Sequence, residues 1–108
     1  MEQRGGRRLA VHLPVRIRGL SGDTVSTGRI RNLSLTGALI ETGFDATAFD
    51  GIEVAVNNEW VLAWVTRRDP GAIAVEWMMV APQAVLRQIE IAELLGPPAA
   101  SPHEPATA

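Results

Sequence analysis

Two groups of residues in this 108-residue chain could do chemistry. The first is Arg4-Gly-Gly-Arg7-Arg8, three guanidinium groups around two adjacent glycines. Guanidinium binds phosphate bidentately and stacks on flat rings, and glycine leaves the backbone free to close over a ligand. The second is Asn32-Leu-Ser34-Leu-Thr-Gly37. On a strand, Asn32 and Ser34 would face one side with hydrogen-bonding side chains, while Gly37 has no Cβ to block a close approach. Arginines that grip phosphate, with an amide that reads a base edge, would suit a nucleotide. Each group also has a plainer reading. An Arg-rich terminus can be a solubilising tail, and Asx-x-Ser before glycine is a common turn whose side chains cap local backbone.

Charge sharpens the first reading. All ten basic residues are arginine, and seven of them (Arg4, Arg7, Arg8, Arg16, Arg18, Arg29, Arg31) precede residue 32, against only Glu2 and Asp23. The rest of the chain holds three arginines against ten acids, so a net charge of −2 conceals a division. Such a half points to a specific anion, or else to a solvated basic face. Catalytic groups are scarce. The histidines are His12 and His103, cysteine is absent, and no carboxylates cluster, so a metal site would need scattered ligands. Ser34 lacks a nucleophile-elbow context and a base. Glu41, Glu53 and Glu76 fit solvated strand faces. The chain reads as a binding protein and not an enzyme, with no catalytic residue, no metal and no cofactor. Absent cysteine leaves the cytoplasm as the default location. No apolar run nears the ~20 residues of a membrane helix, and the N-terminus lacks a secretory signal.

The elements that must position these residues follow from periodicity. Leu9, Val11, Leu13, Val15 and Ile17 alternate with Ala10, His12, Pro14, Arg16 and Arg18, which is a half-buried strand with its arginines outward. Pro14 cannot donate to a ladder and marks an edge or a bulge. Further strands are expected over 24–33 and 37–42, followed by a loop through "GFDATAFDG". "IEVAV" and "WVLAWVTRR" flank "NNE" as a hairpin, "DPG" turns the chain again, and "AIAVEWM" is the last strand. Six strands on short turns favour a small antiparallel barrel, an all-β fold that hides its edges. "PQAVLRQIEIAELLG" then shifts to helical spacing, with Pro82 in its first turn and Gly96-Pro-Pro as its stop. The helix is expected to pack on the barrel or to cover one mouth. Residues 97–108 are Pro/Ala-rich and expected to be disordered. Residues 1–8 have no apolar anchor and are expected to be a flexible Arg-rich ligand-binding segment, which leaves 9–96 as the domain.

Arg4-x-x-x-Arg8 followed by Asn32-x-Ser34-x-x-Gly37 resembles the paired signature of PilZ domains, bacterial receptors for cyclic di-GMP. The resemblance runs through "RRLAVHLPVRIRG", "NLSLTGALIET", the Trp60–Arg68 strand, "GAIAVEW" and the helix, roughly residues 3 to 95. It implies a six-stranded antiparallel barrel with a C-terminal helix. It further implies that Arg4 and Arg8 hold the phosphates and stack on guanine, that Asn32 and Ser34 bond a guanine edge or a phosphate, and that Gly37 lets the ligand sit against its strand. Arg7, Gln3 and Trp64 are further candidates. Trp60, Leu62 and Trp64 share one strand face opposite Val61, Ala63 and Val65, so the tryptophan face calls for cover by the helix or by a ligand.

Two positions depart from the family pattern. The family prefers Asp where this chain has Asn32, and Asn offers one carbonyl where Asp offers a carboxylate. A further arginine often precedes the first motif arginine and accompanies an intercalated ligand pair. Gln3 stands there, so one or two ligands per site stay open. The expected function is that of a stand-alone cyclic di-GMP receptor or adaptor, which signals to an effector protein by ordering its N-terminal arginines over the ligand. A PilZ adaptor with weak or no nucleotide binding is one alternative, and a small oligonucleotide-binding barrel another. The latter would need basic and aromatic residues spread over a strand surface. No DNA partner and no membrane segment are expected.

Overall fold

A computed structural model describes residues 8–20 and 24–96. Six strands and one helix follow in order: β1 (Leu9–Gly19), β2 (Val25–Leu33), β3 (Gly37–Thr42), β4 (Gly51–Val56), β5 (Glu59–Asp69), β6 (Ala72–Trp77) and α1 (Gln83–Leu95). All neighbouring strands are antiparallel, and they close into a barrel in the order β1-β2-β3-β6-β5-β4. The expected six-stranded barrel with a C-terminal helix is therefore what the chain forms.

Local chemistry sets the turns. The β4–β5 hairpin turns on two residues, Asn57 at φ 51° and Asn58 at φ 66°, and Glu59 already pairs with Val56. Asparagine tolerates this left-handed backbone, which a two-residue hairpin loop needs at both central positions. The turn is thus one residue shorter than "NNE" suggested. In the β5–β6 turn Pro70 is followed by Gly71 at φ 76°, where a Cβ would be strained. Pro14 lies in the part of β1 that pairs with β2 alone, since β4 joins β1 only at Ile17–Gly19. The β1–β2 ladder is also irregular between Ala10 and Leu13. Both reasons for tolerating a proline are present.

The core is aliphatic. Ile17, Ile30, Leu33, Ile40, Val54, Val56, Val65 and Val85 are completely buried, with Ile52 and Ile73 at 1% exposure. Ile30 and Leu33 both point inward although three residues apart. An extra residue in β2, between Ile30 and Asn32 opposite β3, makes this possible. Such a bulge resets the alternation and turns the intervening side chains outward. The helix adds Ala84 and Val85 to the core, with Ile89 and Ala92 packed against it, and it lies against β1 and β4. Asn57 ties the hairpin to it, its Nδ2 donating to the Ala84 carbonyl at 3.3 Å. No helix among the described residues is long and apolar enough to cross a membrane.

Candidate functional site

The β2 bulge aims Asn32 at the outside of the barrel, and a second bulge does the same across the sheet. The β5–β6 ladder shifts register between Val65 and Arg67. The Thr66 hydroxyl donates to the Ala74 carbonyl at 3.2 Å there, and Thr66 and Arg67 are both exposed. Between the bulges runs a register row, Asn32 opposite Leu39, Leu39 opposite Ala74, Ala74 opposite Arg67. It crosses four strands, or three strand spacings, about 14 Å along the sheet. The next outward row is Gly37, Glu76 and Trp64. The first row, with Gly37 and Glu76 of the second, floors an open cleft of about 210 Å³, lined by Arg8, Asn32, Ser34, Gly37, Arg67 and Glu76 among others. Its floor is short-sided at Gly37 and Ala74, and its rim is polar.

Ser34 and Gly37 are built into the turn between β2 and β3. Ser34 lies past the end of β2, so it does not share a strand face with Asn32 as the i, i+2 spacing suggested. It is 7% exposed. Its Oγ accepts from the backbone N–H groups of Thr36 (3.3 Å) and Gly37 (3.2 Å). Its own N–H donates to the Gly37 carbonyl at 2.9 Å. From the barrel interior Trp77 Nε1 donates to the Ser34 carbonyl at 3.1 Å. Gly37 is constrained by space, since a Cβ there would lie 2.1 Å from the Val75 carbonyl oxygen. The backbone that closely approaches Gly37 is therefore that of β6. Both residues line the cleft, and both hold its floor in shape.

Asn32 and Arg8 are differently placed. Asn32 is partly exposed, and its side chain makes no hydrogen bond among the described residues. Arg8 directly precedes Leu9, which pairs with Leu33, so the guanidinium stands at the β2–β3 turn. It has no ion-pair partner among the described residues and is exposed. Gln3, Arg4 and Arg7, the remaining arginine-segment candidates, lie outside the described residues, as do residues 97–108.

Other arginines are engaged within the barrel. Arg18 stacks on the Trp60 ring at 3.9 Å from its centroid, and Arg16 is 5.3 Å from it. Arg18 Nε also donates to Glu53 at 2.7 Å, and Arg31 pairs with Glu41. Arg18 and Arg31 thus tie neighbouring strands together, and Arg16 and Arg18 reach across to Trp60 of β5.

Trp64 does not pack under the helix. It is 42% exposed, beside Leu62 at 43%, and its Nε1 donates to Glu76 Oε1 at 3.1 Å. It sits beside the cleft, outside its lining, while the helix lies against β1 and β4; on the same face Trp60 is covered by Arg18. Sequence reasoning missed Thr36, Thr66, Arg67 and Glu76 as cleft residues. The signal available for Arg67 was the Thr-Arg-Arg run, which breaks alternation at the end of a long strand. Nothing local marks Glu76. No cluster of three or more His, Cys, Asp or Glu that could hold a metal occurs among the described residues.

A six-stranded closed barrel with this strand order, a C-terminal helix and a cleft at the β2–β3 turn defines a PilZ-like fold. The solved structures bear this out. The chain is similar to the PilZ domain of CeSA from a cellulose synthesizing bacterium, with a TM-score of 0.61 and 19% identity, covering 83% of this chain and 98% of that one. No protein-family model matches the chain, and no curated protein matches it.

Proposed function

We propose that the protein is a cyclic di-GMP receptor of PilZ type, a binding and adaptor domain and not an enzyme. One observation carries this reading: Arg8, from the segment before β1, lines one cleft on a PilZ-like barrel together with Asn32, Ser34 and Gly37 from the β2–β3 turn region. Each has a part suited to a nucleotide. The Arg8 guanidinium matches a phosphate bidentately or lies on a base face. The Asn32 amide, without a protein partner among the described residues, is available to a base edge. Ser34 and Gly37 fix the turn that separates these two groups, and the low floor at Gly37, Leu39 and Ala74 admits a flat ring.

Arg4, with Arg7 and Gln3 beside it, completes the phosphate grip in this reading, as residues 1–8 close over the bound ligand. That closure presents a new surface to an effector protein in the cytoplasm, an order-on-binding switch. Calorimetric titration with cyclic di-GMP, with GTP and single-stranded RNA as controls, tests the reading. Cyclic di-GMP should bind at low-micromolar affinity or better and the controls much more weakly. Flat heats with cyclic di-GMP would favour an adaptor acting through protein contacts alone, a reading to which the use of Ser34 Oγ inside its own turn lends weight. Preferential binding of RNA would favour the oligonucleotide-binding barrel.

A further inference from the structure

Among the described residues, the cleft is lined by one carboxylate, that of Glu76. A carboxylate at the rim of a site for phosphates would repel them, so it must face another part of the ligand. Its setting is specific. Glu76 stands directly across from Gly37 on one side and from Trp64 on the other. Its side chain is exposed and lines the cleft. On the opposite side Trp64 Nε1–H donates to Oε1 at 3.1 Å, which orients the group and leaves Oε2 without a protein hydrogen bond among the described residues.

We propose that Glu76 is the residue that selects guanine in this cleft, with Trp64 as its positioning residue. This rests on the cyclic di-GMP reading given above. Guanine presents two adjacent donors, N1–H and the N2 amine, and a carboxylate accepts from both at once. Adenine presents an acceptor beside a donor, and a carboxylate meets that edge with one unpaired, repelled oxygen. Asn32 cannot make the distinction alone, because an amide carries one acceptor and one donor group and suits an adenine edge as well. Glu76 is also not a second grip on the base that Asn32 touches. β2 and β6 are two strand spacings apart, about 10 Å along the sheet, so the two side chains address different parts of a dinucleotide. Guanine selection therefore comes from the β6 side of the cleft, outside the Asn-x-Ser-x-x-Gly turn.

Calorimetry on the full chain tests this with three ligands: cyclic di-GMP, cyclic di-AMP, and cyclic di-IMP, which keeps N1–H but lacks the N2 amine. Glu76→Gln should weaken cyclic di-GMP roughly tenfold to a hundredfold, the scale of one bidentate base contact. It should leave cyclic di-AMP unchanged or improve it. Wild type should prefer cyclic di-GMP over cyclic di-IMP, and Glu76→Gln should bind the two alike. Trp64→Phe keeps the ring and loses the N–H, so it should lower the guanine-to-adenine ratio by a smaller factor. Glu76 is exposed, and its variant should melt with wild type. An unchanged guanine-to-adenine ratio in Glu76→Gln, or an equal loss for all three nucleotides, overturns the inference while leaving the receptor reading intact. A wild-type protein that binds none of the three overturns both.

Discussion

Replacing Gly37 with alanine separates what this residue does for the barrel from what it does for a ligand. An added Cβ would lie 2.1 Å from the Val75 carbonyl oxygen, 3.1 Å from the Val75 carbonyl carbon and 3.2 Å from Glu76 Cα. All three are backbone atoms, so no side-chain rotation relieves the contact. An ordinary carbon–oxygen contact needs on the order of 1 Å more, and β3 and β6 must part locally to provide it. Parting them strains ladder hydrogen bonds at a net cost of about 1 kcal/mol each, and it moves Val75 and Ile40 within a close-packed core. Overpacking of this kind costs about 1–3 kcal/mol by itself. The sum is roughly 2–4 kcal/mol, which for a domain of this size lowers the melting temperature by on the order of 10–25 °C. Urea and thermal denaturation without ligand measure it. A variant within about 0.5 kcal/mol of wild type would refute the argument, and would return Gly37 to a purely ligand-facing role.

Further outcomes follow from the same geometry. Arg8→Ala should weaken cyclic di-GMP roughly tenfold to a hundredfold, since a charge-assisted hydrogen bond contributes about 1.5–3 kcal/mol; equal calorimetric affinities would remove Arg8 from the site. Asn32→Asp should tighten cyclic di-GMP modestly, because a carboxylate accepts two guanine donors; clear weakening in the same titration would place Asn32 against phosphate. Ser34→Ala leaves the Thr36 and Gly37 N–H groups without their side-chain acceptor, and should cost about 1–2 kcal/mol in a urea melt; no loss of stability would argue against the capping role. Backbone relaxation by NMR on residues 3–8 should show restricted motion with saturating cyclic di-GMP and free motion without it; the same dynamics in both states would end the closure mechanism, even with binding intact.

The barrel was legible in the sequence because its determinants are local and periodic. Alternation from Leu9 to Ile17, the two-sided apolar run from Trp60 to Val65 and the turn residues at Asn57-Asn58 and Pro70-Gly71 each specify an element without reference to the others. The bulges in β2 and β5 were not legible. An extra residue in β2 or β5 is defined by what lies opposite it on the neighbouring strand, and a single sequence holds no record of pairing. That is why Arg67 is not singled out from the sequence, and why Glu76 reads there, with Glu41 and Glu53, as a carboxylate on a solvated strand face. Trp64 was placed on the correct face, but its neighbour there is Glu76 across the ladder and not the helix.

The same limit explains how the Asn-x-Ser-x-x-Gly stretch could support two opposite readings. Read as a strand, it offers three ligand contacts; read as a turn, it offers none. The structure divides it by residue. Ser34 spends its hydroxyl on the backbone of Thr36 and Gly37, Gly37 spends its missing Cβ on Val75, and Asn32 alone keeps a side chain without a protein hydrogen bond among the described residues. A motif of this shape therefore acts mainly as scaffold. It holds a bulged strand end so that one amide, a guanidinium from the segment before β1 and the β5–β6 wall converge. Substitutions at Ser34 and Gly37 should accordingly register first as stability, and only through it as affinity. Those at Arg8, Asn32 and Glu76 should register as affinity with the melting temperature unchanged. Measuring both quantities on all five variants would test that division directly, and a Gly37 or Ser34 variant that kept its stability but lost its ligand would break it.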